Sequence, residues 1–374
     1  LILGVAVQKS GLLQRVSLLV LKVFPATFKG QTFALLTAGT IIAPFIPSVT
    51  AKSVIMAPLS KGISEAMGFP QKSRGASGLF GAFWIGFVCT GVSFLSASLF
   101  NYLIKGMVPK EVAAQFTWMQ WFLAALPWTI VLFIASFIAL QLLYKPKEKA
   151  SLPPGYATEE LKKLGPWKRE EKIVLVVMCL ALVCWMLERT LNIPAVIVAL
   201  LAVCIFVLTN VLTIPDLRAK VPWDMMIFYG GLLGIAIVFP SLKIDKWLGG
   251  LVTPYIAPLV SNPYLFIAAL AICIYIVRTA IISLTATLTL FMLMIIPVAS
   301  AAGYNPWVIG IVTYASMWVW HLLYQNGLYI PAFYAVEGLV EQKQMAKLSV
   351  AYMIISILGF WACIPVWQFM GLIK

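Results

Sequence analysis

Apolar residues gather in runs separated by short polar breaks, and the lengths of those runs predict helices. Residues 78–104, 118–144, 172–191 and 194–213 are each long enough to cross a bilayer, which takes about 20 apolar residues. Further runs cover 31–46, 51–67, 224–240, 264–282, 286–300, 305–324, 328–340 and 346–372, and several of these are too short to span alone. Residues 1–8 read as the tail of a helix. Two stretches, 11–24 and 241–262, are amphipathic; in the first, Gln14, Arg15 and Lys22 interrupt Leu and Val. No period-2 alternation marks a strand. The pattern predicts an all-α polytopic membrane protein.

Composition sharpens that reading. Only 11% of residues are charged, 62% are hydrophobic, and the mean hydropathy is +0.97. So few charges cannot cover a soluble surface, and the length leaves room for roughly nine or ten membrane helices with short connections. The bilayer is therefore the first partner. The net charge of +14 would suggest nucleic acid in a soluble chain; here it fits basic loops beside anionic headgroups, and no nucleic-acid partner is expected. Six cysteines form no C-x-x-C pair and sit mostly in apolar runs, so neither a metal framework nor disulfides are expected. The chain opens Leu1-Ile2-Leu3, which reads as the interior of a longer protein with its first part missing.

One polar connection stands out. Residues 145–172 hold eight Lys or Arg and five acids between two spans, which marks the loop as cytoplasmic. It divides the chain into a first repeat, 1–144, and a second, 173–374. Each has an amphipathic stretch, a helix broken at a small polar motif, and further spans. The motifs are Pro47-Ser48-Val49-Thr50-Ala51-Lys52 and Ser283-Leu284-Thr285-Ala286-Thr287, with breaks expected at 47–50 and 283–285. Unwound backbone with hydroxyls suits an ion or an anion in a membrane, because freed carbonyls face a cation and a half-helix N-terminus faces an anion. Such backbone is tolerated at bilayer depth only where it is buried in protein or lines a cavity.

At these motifs the chain resembles the divalent anion/sodium symporter family, in particular its citrate and dicarboxylate branch. Ala43 to Ser53 is similar to that branch's A-P-F-I-P-S-N-T-A-R-S stretch. Leu161 to Pro166 and Arg169 to Ile173 look like its cytoplasmic loop, and Ser283 to Ala286 like its second motif. The resemblance implies an inverted-repeat transporter with re-entrant hairpins and two broken helices, a homodimer in the bacterial inner membrane. It also implies a mobile domain that carries a small divalent or multivalent anion past a scaffold in an elevator motion. Carried over, Ser48, Val49, Thr50, Lys52, Thr90, Ser283, Leu284, Thr285, Asn326 and Gly327 would bind substrate. Ser48, Gly86, Thr279 and Ser283 would hold a coupling sodium ion, with no other cofactor.

The chain departs from that pattern where binding is expected. Val49 replaces the first tip's Asn, and Leu284 stands at the middle of the second. A polar H-Y-G-T-G-P stretch appears as Tyr324 to Tyr329, and Q-G-N has become Ile85-Gly86-Phe87, with Thr90, Gly91 and Ser93 nearby. An amide coordinates sodium and donates to carboxylate; a valine side chain does neither. Exchange without sodium, or a relative that no longer transports, are the alternatives to symport.

Charges within spans are costly. Lys52 and Arg278 either balance an anion or snorkel and pair with carboxylates. Glu188-Arg189 reads as an interfacial pair, and His321, the single histidine, as a packing or hydrogen-bonding residue. One histidine and no H-E-x-x-H exclude the usual intramembrane hydrolase sets, and no G-x-x-x-x-G-K-[ST] marks an ATP motor. The loop assignment has a direct check: a cysteine at Pro154 should resist an impermeant thiol reagent in intact cells and react once the membrane is opened. Fast labelling from outside would invert the topology.

Overall fold

The computed structural model describes residues 1–146, 150–244, 247, 250, 254 and 258–374. The described part is helical, with two isolated β-bridges and no longer strand. The first half runs α1 (Ile2–Ser10), α2 (Leu12–Val23), α3 (Phe28–Ile42), α4 (Val49–Ala66), α5 (Arg74–Phe87), α6 (Leu99–Met107), α7 (Lys110–Gln115) and α8 (Trp118–Tyr144). After α9 (Tyr156–Lys163) come α10 (Arg169–Met186), α11 (Glu188–Leu191), α12 (Ala195–Leu208), α13 (Ile214–Lys220) and α14 (Trp223–Ser241). The last group is α15 (Pro263–Val277), α16 (Leu284–Ala301), α17 (Pro306–Ser316), α18 (Tyr329–Ala335) and α19 (Gln342–Phe369). Much of the expected amphipathic stretch 241–262 lies outside the described residues.

The order within each half repeats. In the first, α3 and α4 meet at a tip, α5 follows, and an irregular segment at 88–98 leads into short α6 and long α8. In the second, α15 and α16 meet at a tip, α17 follows, and an irregular segment at 317–328 leads into short α18 and long α19. Direction follows from the contacts. A β-carbon on Gly78 would meet Phe28, and one on Gly39 would meet Gly86, so α3 runs parallel to α5. The turn at 67–73 sends α5 back along α4, which makes α3–α4 a re-entrant hairpin. Likewise Phe266 near the start of α15 packs on Tyr304 just before α17, with ring centroids 4.9 Å apart, and α15 packs along α17, so the two run parallel and α15–α16 is a second hairpin.

The equivalent long helices run in opposite directions. Trp367 Nε1 donates to Ala124 O (2.8 Å), Trp128 stacks on Phe360, and Tyr144 OH donates to Gln344 O (2.5 Å). The repeats are therefore inverted. At 27 and 28 residues, α8 and α19 measure about 40 Å at 1.5 Å per residue, longer than the hydrocarbon core.

These facts correct the reading of the runs. Residues 47–50 and 283–285 are not breaks within single spans. Ser48 and Ser283 are N-caps, so Val49-Thr50 and Leu284-Thr285 already belong to the first turns of α4 and α16. The tips lie earlier, at 43–48 and 278–283. The run at 78–104 is not one α-helix, because α5 ends at Phe87, the chain tightens into 3-10 turns at Cys89–Ser93 and Leu95–Ala97, and α6 starts only at Leu99. Among the described residues four helical stretches are long and apolar enough to cross a membrane. Ala195–Leu208, Pro263–Val277 and Pro306–Ser316 are shorter apolar helices.

Residues Gly75 to Phe87 of α5 are all buried, and its glycines let backbone touch backbone. A β-carbon on Gly39 would stand 2.1 Å from the Gly86 carbonyl carbon, and one on Gly86 would stand 2.7 Å from Leu35 O. At the other edge α1, α10 and α12 pack together, and α9 packs on α2. Arg15 ties the loop to α2. It is 4% exposed, its Nε donates to Glu171 (2.8 Å), and its Nη atoms donate to the Leu164, Gly165 and Pro166 carbonyls. Glu188 and Arg189 do not pair with each other: Glu188 accepts from Ala195 N (3.2 Å) and Arg189 donates to Gln120 (2.8 Å). Gly39→Ala should therefore force α3 off α5, at a cost of about 1–3 kcal/mol. The check is a fall in thermal midpoint in detergent, against an unchanged midpoint for Gly230→Ala, whose added carbon would meet open space.

Candidate functional site

Each hairpin tip ends on a serine. Ser48 and Ser283 hold extended backbone, and each hydroxyl oxygen accepts the third N–H of the following helix, Ala51 N or Ala286 N, at 3.2 Å. The N–H groups of Val49, Thr50, Leu284 and Thr285 precede any intrahelical partner. Two helix N-termini with free donors and partial positive charge are what an anion requires. Val49 and Leu284 keep that backbone donor although neither has an amide side chain.

Unwound backbone near these tips is held by buried donors. In the first repeat Lys52 is 0% exposed and its Nζ donates to Ala97 O at 3.1 Å. Asn101 Nδ2 donates to Gly91 O (2.9 Å) and Phe94 O (2.7 Å), and Trp121 Nε1 to Val92 O (3.0 Å). Ser96 links the break to the tip by donating to Pro44 O (2.6 Å). In the second repeat Arg278, also 0% exposed, donates to the carbonyls of Ile281, Ile282 and Gln325. From α19, Gln342 Nε2 donates to Trp320 O (2.7 Å) and Ser349 Oγ accepts from Trp320 N (2.9 Å). Each repeat thus uses one cation on or beside its hairpin to clamp its own break. Neither cation snorkels, and among the described residues neither meets a carboxylate within 4.0 Å. The sequence around them holds no acid at all: residues 1–64, 66–110 and 246–336 lack Asp and Glu.

The other expected positions fall as follows. Thr90 is buried and its hydroxyl donates to Gly86 O, so that carbonyl is already engaged. Thr279 is exposed; its hydroxyl donates to Ile276 O (2.7 Å) and its carbonyl accepts from Tyr324 OH (2.9 Å). Asn326 is 0% exposed, its Oδ1 accepts from Leu328 N and Tyr329 N, and its Nδ2 has no partner. Gly327, Thr50 and Ser283 are exposed, Ser48 and Thr285 half-buried, and Leu284 buried. At Gly91 a β-carbon would lie 3.6 Å from Lys52 Nζ and 3.8 Å from Tyr314 OH of α17, so the first break packs against the second repeat. Asn101 and Gln325 were missed in the sequence. For Asn101 the available signal was a lone amide just past Ser96 and Ser98; for Gln325 it was the adjacent amide pair with Asn326 after an apolar stretch.

Two hairpins, two broken helices and buried cations at their breaks define a multi-pass inverted-repeat membrane protein. The chain belongs to the family described as the sodium:sulfate symporter transmembrane region, which matches residues 1–373. It is 30% identical over 247 residues to the putative malate transporter YflS of Bacillus subtilis, covering 64% of this chain and 52% of that one. It is 27% identical over 311 residues to the L-tartrate/succinate antiporter of Shigella dysenteriae, covering 81% of this chain and 63% of that one. The chain spans about half the length of the curated relatives it matches first. In fold it is similar to the Alcanivorax borkumensis YdaH transporter, with a TM-score of 0.61 at 14% identity over 99% of this chain and 85% of that one.

Arg278→Lys should destabilise the second tip, because one ammonium cannot reproduce a planar fork serving three carbonyls. Losing one or two charge-assisted bonds costs about 2–4 kcal/mol. Thermal unfolding of the purified variant should show a drop of several degrees; an unchanged midpoint would place the clamp elsewhere.

Proposed function

We propose that the protein moves small dicarboxylate or tricarboxylate anions across a cell membrane, exchanging one anion for another. The observation that carries this reading is the buried pair Lys52 and Arg278 in segments without a single acid. Where Lys52 and Arg278 are both protonated they offset the two charges of a dicarboxylate, so the loaded carrier core is close to neutral. The empty core then holds uncompensated charge, and a charge at bilayer depth costs at least about 2.5–3.5 kcal/mol. Return of an empty carrier is disfavoured, and exchange follows. The helix N-termini at Ser48 and Ser283 would take the two carboxylates, with Thr50, Thr285 and Asn326 around them. The body containing both hairpins would move past α1, α10 and α12 as an elevator, in a homodimer. The antiporter named among the relatives agrees with exchange.

Sodium-coupled symport is the second reading, favoured by the family's description. Ser48, Gly86, Thr279 and Ser283 would supply oxygens, but Val49 brings none from its side chain. Losing one neutral ligand costs about 1–3 kcal/mol, a factor of roughly 5 to 150 in affinity.

Counterflow of labelled succinate, citrate and sulfate in proteoliposomes separates the two. We expect rapid counterflow of a carboxylate that is insensitive to sodium, with little net uptake into empty vesicles. Lys52→Gln should weaken dianion exchange, and Val49→Asn should raise sodium sensitivity. Net uptake driven by a sodium gradient, unchanged in Val49→Asn, would overturn exchange in favour of symport.

A further inference from the structure

We propose that His321 is a positioning residue for the second hairpin tip, holding Gln325 while its ring is neutral and losing it when the ring is protonated. The inference rests on the carrier reading above. His321 lies in the irregular segment between α17 and α18, four residues before Gln325. Leu322 N donates to Gln325 Oε1 at 2.9 Å, and a backbone N–H only donates, so the orientation of the amide is set. Its Nε2 then faces His321 Nε2 at 3.1 Å. The amide nitrogen is the donor, so the ring nitrogen must accept and the ring proton must sit on Nδ1.

The ring has no room to adapt. Gln342 Nε2 donates to the carbonyls of Trp320 (2.7 Å) and His321 (3.2 Å), which fixes the backbone that carries it. Nδ1 is buried without a partner. A second proton on Nε2 sets two donors face to face and gains no acceptor at Nδ1. Gln325 is the residue whose carbonyl receives Arg278, and Arg278 also grips Ile281 and Ile282 of the tip. Displacing Gln325 therefore loosens the clamp on the tip.

Few other titratable groups surround this chain of contacts. On the tip and break they are Arg278, across Gln325, and Tyr324, whose hydroxyl donates to Thr279 O. At the start of α19, Glu341 and Lys343 flank Gln342. Among the described residues no carboxylate lies within 4.0 Å of the His321 ring.

The test is a pH profile of succinate counterflow between pH 7.5 and 5.5 in the unmodified protein, His321→Gln and Gln325→Glu. In His321→Gln an amide oxygen replaces the accepting ring nitrogen and does not titrate. Substrate protonation is common to all three proteins, so only differences between them count. We expect the unmodified protein to lose about fivefold more activity on acidification than His321→Gln, the factor for one hydrogen bond. Gln325→Glu, which accepts from a protonated ring, should hold its activity at the acid end. Identical profiles in all three would overturn the proposal. A second readout does not depend on transport: iodoacetamide labelling of Ala280→Cys on the tip, corrected for labelling of the native cysteines. It should accelerate in acid relative to the same cysteine with His321→Gln. Acid-dependent labelling without carboxylate transport at any pH would leave the positioning role standing and remove the carrier reading.

Discussion

The structure depends on one constraint, that backbone taken out of a helix inside a bilayer must still find hydrogen-bond partners. Lipid supplies none, and each unpaired group costs several kcal/mol. This fold unwinds its chain at two tips and two breaks, so it must import hydrogen-bond partners. Asn101, Trp118 and Trp121 donate at the first break, Gln342 donates and Ser349 accepts at the second, and Lys52 and Arg278 bridge hairpin to break. Most of these partners come from the two long helices or their approaches, which explains why α8 and α19 sit against each other at the centre. They are continuous, so their side chains can serve the discontinuous elements.

Two of the imported donors are charged, and that has a second consequence. A neutral amide would hold Ala97 O as well as Lys52 does. An ammonium and a guanidinium in an acid-free interior create a demand for negative charge that nothing in residues 1–64, 66–110 or 246–336 can meet. On the function proposed above, the groups that repair the backbone also prepare the centre for an anion, so a structural and a binding role at Lys52 and Arg278 are compatible.

Much of this was legible in the sequence, but unevenly. The class of fold followed from hydropathy and charge. Both tips followed from small hydroxyl residues interrupting apolar runs, since Ser before a helical segment is a cap signal wherever it occurs. The breaks at 88–98 and 317–328 were not legible. Val92, Phe94 and Leu95 keep the hydropathy high through the first, and Trp318, Val319 and Trp320 do the same in the second. Hydropathy follows burial, and 88–98 and 317–320 are buried; it carries no information on whether the backbone is helical. Arg15 was likewise visible only as an interruption. Its ties to Glu171 and three loop carbonyls span about 150 residues of sequence and depend on tertiary packing.

The inverted repeat also determines which parts can move together. Short α6, which follows the first break, packs on α16 and α17 of the second repeat, and short α18, which follows the second break, packs on α4 of the first. Each hairpin is therefore braced by the other repeat's broken helix. A hairpin could not shift alone without stripping that partner from its break and exposing carbonyls that lipid cannot satisfy. On the elevator reading proposed above, the displacement carries both hairpins, both breaks and the paired α8 and α19 as one body. It leaves behind an edge that is tied within itself, where Trp185 Nε1 of α10 donates to Ala195 O at the start of α12 (3.1 Å) and α1 packs on both. The interlock that satisfies the backbone thereby favours rigid-body motion over local opening.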